Sequence, residues 1–531
     1  MKDKKMLYGI GIVFLFLATI GFSYAYFTAS IANKDVKDQV VTTGTLELTY
    51  TDGPEIKMEN IKPGQTITKK VTVKNTGTLD ASYNFVWQEL NNTITNDEMV
   101  ISATCKRLNG EVEEEACEGV DENPIKRIKI KENVSIEPGI THEYNVTITF
   151  KEENADQNYN QGKLFTGVLG IKEYKTPETI NCTFDGELTK GAEYTNGQYT
   201  YRYMQEQNAY LNIMSYRVVY EWKDIITDGW GVTLTDKDST EPVTSKICTT
   251  INNKPVVSTA YMFFGSQATN IDLDTFDTSN IIDMKSMFDT TNFKILDLSN
   301  FDTSNVIDMG AMFRDNQSTA LDLSSFDTSN VTKMNHMFTS SKATTLDLKN
   351  FDTSNVTDMK SMFLSNQALT LNVSSFNTGN VTDMNAMFYA SKATTLDLNN
   401  FDTSKVTNMS SMFNVSKATS LNLTSFNTSN VTEMNSMFSG SNATILDLSN
   451  FDTNSVTQMS YMFARCPNLK TIYVSDKFVT AKVYMSSSMF EESNSLVGGS
   501  GTVYDSTKTD KTYARVDGGT ALPGYFTLKT N

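Results

Sequence analysis

The chain contains little cysteine and almost no histidine: 5 Cys and 2 His among 531 residues. Five cysteines cannot staple a fold of this length, so its stability must come from buried apolar side chains. His142 and His336 occur in unrelated contexts, and no GxSxG, HExxH or phosphate-loop spacing is present. We therefore expect a protein that is not an enzyme and that needs no cofactor or metal. An extracellular hydrolase that uses two carboxylates is a remote alternative.

Basic residues are also in the minority, with 45 Lys and Arg against 62 Asp and Glu and a net charge of −17. An acidic chain is repelled by phosphate backbones and by anionic lipid headgroups. The composition thus excludes nucleic acid as a partner, and it excludes attachment to a membrane by charge alone.

A long apolar run occurs at the N-terminus, where three lysines precede residues 6–20 and the run continues more weakly to residue 27. The Ser-Tyr-Ala sequence that ends at Ala25 supplies the small residues of a signal peptidase site. Residues 1–30 are therefore a signal peptide cleaved after Ala25, or an uncleaved transmembrane anchor, since the run is just long enough to span a bilayer. Both alternatives predict an extracellular or cell-surface protein that meets the membrane only through this segment. The stretch GFSYAYFTA resembles the signal region of TasA- and camelysin-type secreted proteins.

Residues 31–175 predict an all-β domain. Residues 45–50, 68–73 and 143–150 alternate between apolar and polar side chains, and Pro-Gly and Asn-Thr-Gly turn signals separate them. Such strands favour a two-sheet sandwich. The stretches IKPGQTITKKVTVKNTG and IEPGITHEYNVTITF resemble the TasA-like sandwich, and this resemblance implies assembly into matrix fibres, as many members of that family do. Cys105 and Cys117 bracket an acidic hairpin-like loop and are expected either to pair outside the cell or to remain two thiols.

Residues 176–255 are expected to form a connector and a cap for the region that follows. Trp222 and Trp230 flank IITDG and are expected in the core. Cys182 and Cys248 would be a second disulfide that closes this module. Cys466, near the end of the next region, is expected to be buried and unpaired.

Residues 256–475 repeat with a period of 25. The segment FDTSN or a close variant begins at Phe276 and at every twenty-fifth residue up to Phe451. A fixed period in this range indicates a solenoid of stacked units. In one unit, Leu296 and Leu298 predict a short strand, and the spacing of Val306, Met309, Met312 and Phe313 predicts two turns of helix. Asn305 would cap that helix, and Asp308 would be its first-turn acid. Residues 476–531 break the period and are expected to cap the C-terminal end.

The repeat LDLSNFDTSNVIDM, with MF two residues later, resembles the BspA-type leucine-rich repeat of bacterial surface proteins. The resemblance implies an α/β solenoid that binds proteins or glycans on host matrix, host cells or other bacteria. Together with the all-β domain, it predicts a multidomain protein: an all-β sandwich followed by an α/β leucine-rich repeat solenoid.

The centre of each predicted strand carries an acid or its amide, which we call the outer row. The alternation of the strand places this row on the outward face. It is a candidate partner-binding surface, a set of calcium sites between rungs, or a solvated face that only keeps sheets apart. A second set of aspartates, in the turn that begins at each Phe, is expected to be structural. The outer row comprises Asp297, Asp322, Asp347, Asn372, Asp397, Asn422 and Asp447.

These features favour a non-enzymatic surface adhesin that uses the many equivalent positions of its solenoid. A structural component of an extracellular fibre, self-assembled through the β-sandwich, is the alternative.

Overall fold

The computed structural model describes residues 48–51, 56–59, 62–92, 94, 98–125, 129–153, 164–173, 177–204, 210–211, 220–221 and 228–529. The chain divides into two compact units, Met1–Tyr174 and Lys175–Asn531. Within the described ranges, no helix is both long enough and apolar enough to cross a membrane. The predicted export segment with Ala25 lies outside these ranges, and so does Trp222.

The N-terminal unit is all-β, as predicted. Its strands form one sheet in the order β1-β3-β8-β5-β6 and another in the order β2-β9-β4-β7. Strand β8 alternates buried and half-buried side chains along its whole length, because one face of the sheet covers a core. The two sheets meet where Phe85 stacks on Tyr144 with ring centroids 5.1 Å apart. The strands are β1 (Leu48–Thr51), β2 (Ile56–Glu59), β3 (Thr66–Asn75), β4 (Ala81–Asn92), β5 (Met99–Asn109), β6 (Val112–Pro124), β7 (Lys129–Ile136), β8 (Ile140–Phe150) and β9 (Leu164–Glu173).

The second unit begins with a six-stranded sheet in the order β10-β16-β17-β15-β12-β11. Trp230 is fully buried in this sheet, as predicted, and belongs to the same hydrophobic core as the repeats that follow. The predicted disulfide between Cys182 and Cys248 is confirmed, and so is that between Cys105 and Cys117 in the first unit. The strands are β10 (Asn181–Cys182), β11 (Glu193–Asn196), β12 (Tyr199–Met204), β13 (Tyr210–Leu211), β14 (Tyr220–Glu221), β15 (Gly229–Leu234), β16 (Thr250–Ile251) and β17 (Lys254–Ser258).

The 25-residue repeats stack on one another. Parallel bridges join equivalent residues of successive repeats, for example Asp283 to Asp308 and Asp308 to Lys333. The predicted strand forms extended ladders at some rungs and single bridges at others, such as Leu296 to Leu321. Two 3₁₀ turns, Lys511–Tyr513 and Gly519–Ala521, lie in the C-terminal segment, and Cys466 is buried and free, as predicted. The remaining strands are β18 (Thr345–Asp347), β19 (Thr370–Asn372), β20 (Ile445–Leu448), β21 (Thr471–Val474) and β22 (Phe526–Leu528).

The predicted two-turn helix is wrong: the described repeats contain no α-helix. Where it was expected, the backbone makes consecutive turns with left-handed residues at Ala311 and Asp315, whose φ values are 55° and 51°. These residues direct alternate N–H groups toward the next repeat; Phe313 donates to the carbonyl oxygen of Met337 at 2.9 Å. An α-helix would use the same N–H groups internally, four residues back. Bonding between repeats therefore replaces bonding within a helix.

The predicted helix cap is wrong for the same reason. The side-chain amide of Asn305 donates to the carbonyl oxygen of Ser279 in the preceding repeat at 2.8 Å. A buried threonine adds a second link, since Thr303 donates to the carbonyl oxygen of Asp327 at 2.8 Å and accepts from its N–H at 2.9 Å. The Asn305 and Thr303 side chains therefore supply hydrogen-bond partners to backbone N–H and carbonyl groups that no helix or regular strand pairs at these positions.

The core of the stack is a file of phenylalanine rings, one per repeat. Consecutive rings from Phe288 to Phe490 are nearly parallel, with centroids 5.6 to 5.9 Å apart. This is the offset-stacked arrangement that aromatic rings prefer. The methionines of the repeat are fully buried beside the rings, for example Met309 and Met312. Their flexible side chains suit the irregular space between turns.

Replacing Val415 by glycine is expected to raise the free energy of unfolding by about 0.5–1 kcal/mol. Val415 is a β-branched residue at φ 48° and is 39% exposed. A left-handed backbone costs such a residue about 1–2 kcal/mol, and the greater freedom of unfolded glycine offsets part of the gain. The measurement is thermal or urea unfolding of the full chain.

Gly440 provides the matched control for this prediction. It occupies the same position of the next repeat with φ 65°, and a Cβ atom there would lie 2.5 Å from Cγ1 of Val415. Gly440→Ala should therefore destabilise the chain. If Val415→Gly also destabilises it, the assignment of strain to this position is wrong.

Candidate functional site

The outer row lies where the alternation places it. Leu296 and Leu298 are fully buried, whereas Asp297 between them is half-buried and faces outward. The same pattern holds at the other rungs except that Leu421, before Asn422, is half-buried; Asp397 and Asn422 are the exposed members of the row.

Hydrogen bonds fix the orientation of each side chain in the outer row. One oxygen of each acid or amide accepts the backbone N–H of the residue two positions later, at 3.0 to 3.4 Å. Asp297 also accepts a bond from the Ser299 hydroxyl at 2.6 Å. Such local turns are typical of Asp and Asn. The row is therefore ordered before any partner arrives, a property that the alternation alone did not predict.

Neutral and cationic neighbours relieve the repulsion along the row. The amide of Asn372 donates to Asp347 of the preceding rung at 3.4 Å, and Lys349 lies 3.5 Å from the same carboxylate. Burial opposes the ionisation of Asp447, but its ion pair with Lys529 and hydrogen bonds from Ser449 outweigh burial and lower its pKa. The outer row is thus a mixed acidic and amide surface.

The turn aspartates have the structural role that the sequence predicted. Asp302, for example, accepts the backbone N–H of Ser304 at 3.0 Å. Hydrogen bonds from the hydroxyl and the backbone of Ser329 lower the pKa of Asp327, and those from Ser404 lower the pKa of Asp402. The Asp327 and Asp402 carboxylates therefore stabilise their turns as anions.

A third row, buried and partly acidic, was assigned by sequence reasoning to helix first turns. Asp283 and Asp308 are only 5% and 4% exposed and belong to adjacent rungs. Burial first, and the neighbouring Asp308 second, raise the pKa of Asp283 to about 7. Each carboxylate still accepts one backbone N–H, Asp283 from Lys285 at 2.9 Å and Asp308 from Gly310 at 2.8 Å. Asp283 therefore titrates near neutrality.

The N-terminal unit contains a group that the sequence did not reveal. His142 lies beside the Cys105–Cys117 disulfide, and the three potential ligand atoms are within 4.8 Å of one another. The three residues come from β5, β6 and β8, and no local motif joins them. Within the described residues, Cys105, Cys117 and His142 form the group of three potential metal ligands that lie close together. No such group of three occurs among the described residues of the outer row.

The fold and the outer row define a repeat protein with an all-β N-terminal unit and a polar, pre-ordered outer surface. The family described as Mycoplasma protein of unknown function, DUF285, matches residues 257–350, 339–443 and 391–499. The family described as camelysin metallo-endopeptidase matches residues 3–89. No curated protein matches the chain. A camelysin-like N-terminus and a repeat region suggest a surface or extracellular protein.

The residues of the camelysin-like segment do not fit a peptidase metal. Residues 3–89 contain neither His nor Cys. The described part of that segment also brings no group of three carboxylates together. Protein zinc is held by Cys, His and carboxylate ligands, and catalytic sites use three of them. We derive no catalytic step through a metal in this segment.

Proposed function

We propose that this protein is a non-enzymatic adhesin, secreted or held at the cell surface. Its repeat stack, as a BspA-type leucine-rich array, binds proteins or glycans of host matrix, host cells or other bacteria. The observation that supports the proposal is the outer row, in which oriented side chains recur at every rung. Single contacts of this kind are weak, but contacts repeated along one rigid surface add.

The chemistry of the outer row favours a partner rich in hydroxyl or basic groups. Its carboxylates and amide oxygens accept hydrogen bonds, and the neighbouring serines and asparagines supply donors. Because local hydrogen bonds already hold the row, binding costs little side-chain entropy. Glycan hydroxyls and lysine or arginine side chains both meet these requirements.

Neutralising three members of the outer row is expected to weaken binding about tenfold. The variant is Asp322→Asn, Asp347→Asn and Asp397→Asn together, and Asn372 and Asn422 already occupy this row without loss of the turn. Each exposed charged contact contributes about 0.5 kcal/mol, so three contribute about 1.5 kcal/mol. The full chain and the variant are screened against matrix proteins, mucins, glycan arrays and bacterial cells, and the affinity for the partners found is measured.

The control variant makes the same charge change five residues further along each repeat: Asp327→Asn, Asp352→Asn and Asp402→Asn. Asn377 and Asn427 already occupy that position, so the turns should persist. Equal losses in both variants would show that net charge, not the outer row, drives binding. Absence of binding together with concentration-dependent filaments would contradict the adhesin and favour the fibre. Hydrolysis of a screened glycan or peptide would favour the enzyme.

A further inference from the structure

The Cys105–Cys117 disulfide joins two residues that the sheet already holds opposite each other. Cys105 on β5 pairs directly with Cys117 on β6, and their Cα atoms are 5.0 Å apart. The pairing of β5 with β6 runs from Val100 and Pro124 at one end to the turn at the other. This backbone ladder does not require the disulfide, so both sulfur atoms should stay together after reduction.

The two disulfides of the chain differ in what they constrain. Cys105 and Cys117 are 12 residues apart within a paired hairpin, whereas Cys182 and Cys248 are 66 residues apart. A disulfide that closes a short loop restricts the unfolded chain less than one that closes a long loop. Cys117 is also half-buried on β6 at the edge of its sheet, where a reductant and a metal ion have access.

His142 completes the group from the neighbouring strand. It is 5% exposed, and its Nδ1 atom lies 2.9 Å from the Tyr83 hydroxyl, which in turn lies 2.9 Å from the Tyr144 hydroxyl. When Nδ1–H donates to Tyr83, the Nε2 lone pair is available for a ligand. Metal-binding histidines are commonly oriented by such a bond from the other ring nitrogen.

The charges around the group are compatible with a divalent cation. Arg107 faces His142 across the β5–β8 pairing, and its guanidinium forms an ion pair with Glu137. Two thiolates would balance the charge of the cation. Two sulfur ligands and one imidazole favour a soft or borderline ion such as Zn²⁺ and leave a fourth tetrahedral position for water.

We propose that reduction converts the Cys105–Cys117 disulfide and His142 into a three-residue site for a thiophilic divalent cation such as Zn²⁺. A dithiol or phosphine reductant supplies the two electrons, the S–S bond breaks, and each sulfur gains a proton. Binding of the cation then forms two metal–sulfur bonds and releases the two thiol protons. The disulfide form, in which neither sulfur is a thiolate, binds no such ion.

The test uses the full chain carrying Cys182→Ser and Cys248→Ser, which removes the other pair of potential thiols. After reduction, Co²⁺ should bind with one-to-one stoichiometry and give the visible bands of tetrahedral cobalt with thiolate ligands. Zn²⁺ should displace it and protect Cys105 and Cys117 from alkylation. His142→Gln should weaken Co²⁺ binding more than tenfold, and Tyr83→Phe by about 10–100-fold through loss of the orienting bond.

Additional substitution Cys105→Ser/Cys117→Ser should abolish the cobalt signal, whereas Cys466→Ala should leave it unchanged, because Cys466 is buried in the other unit. A cobalt signal that persists in the Cys105→Ser/Cys117→Ser variant overturns the proposal. So does a cobalt signal that is lost in the Cys466→Ala variant. Absence of binding by the reduced protein also overturns it. So does unfolding of the N-terminal unit on reduction, measured by near-ultraviolet circular dichroism, because the site requires the paired β5 and β6.

Discussion

Truncation of Phe363 to alanine is expected to destabilise the chain by about 3–5 kcal/mol, the usual cost of removing a buried phenylalanine ring. Phe363 is fully buried in the middle of the ring file. Its centroid lies 5.8 Å from Phe338 and 5.6 Å from Phe388, and a third ring, Phe376, lies at 6.4 Å. Because rings on both sides lose a neighbour, the cavity cannot be filled by one side chain. Urea unfolding of the full chain, followed by circular dichroism, measures the loss.

Phe363→Leu is the matched control, since it keeps most of the apolar volume and removes only the stacked ring. The aromatic geometry itself contributes about 0.5–1.5 kcal/mol, so this variant should lose much less than the alanine variant. Equal losses would mean that ring stacking, not burial, holds successive repeats together. A loss below about 1 kcal/mol for Phe363→Ala would show that the repeats unfold independently of this file.

Replacement of Asp283 by asparagine is expected to stabilise the protein at neutral pH and to flatten its pH dependence. Burial and Asp308 raise the pKa of Asp283 to about 7, from an ordinary value of 3.8. Ionisation of this carboxyl therefore favours the unfolded chain. The cost is absent below pH 4, grows between pH 4 and 7, and is constant above pH 7. A difference of about 3 pKa units sets an upper limit of about 4 kcal/mol on the gain.

Asparagine is compatible with this position because the repeat at Asn408 already uses it. The Asn408 side chain accepts the Ser410 N–H at 2.9 Å, as Asp283 accepts that of Lys285. Thermal unfolding between pH 4 and 8 should give a higher midpoint for the variant at pH 7 and equal midpoints near pH 4. Asp402→Asn is the control with the opposite sign: hydrogen bonds lower the pKa of Asp402, so its stabilisation is present above pH 4 and is lost as the pH falls. A neutral-pH gain in both variants would point to net charge instead of burial.

The sequence predicted burial in the repeats better than it predicted backbone conformation. Val306, Met309, Met312 and Phe313 are all fully buried, as their spacing indicated. The helix predicted for these residues was wrong because consecutive turns bury side chains at the same spacing as a helix does. Neither Ala nor Ser favours a left-handed backbone, so residue types gave no warning. Stacking decided the outcome, since it offers alternate N–H groups of each turn segment a partner in the next repeat.

For the candidate sites, too, the sequence predicted some features correctly and gave no indication of others. Alternation placed Asp297 on the outer face, but it did not specify the hydrogen bond from the Ser299 N–H that orients the Asp297 side chain. Partner binding by the outer row stays a prediction. The proximity of His142 to Cys105 follows from strand order within a sheet, which periodicity does not specify. Local sequence patterns therefore predicted on which face of an element each side chain lies. The pairing of strands that are distant in sequence determined which side chains meet in a candidate site.

The two ends of the stack need different caps. Alternate N–H groups of each turn segment, such as those of Met309 and Ala311, donate to the following repeat, so the first repeat has carbonyl oxygens and the last repeat has N–H groups that no neighbouring repeat can pair. At the N-terminal end the Lys237 ammonium donates to the carbonyl oxygen of Tyr261, and the Leu234 N–H donates to that of Met262, both at 2.9 Å. At the C-terminal end the N–H groups of Phe490 and Glu492 donate to the Thr509 carbonyl and the Tyr504 hydroxyl. One cap therefore supplies donors and the other supplies acceptors, and neither could replace the other.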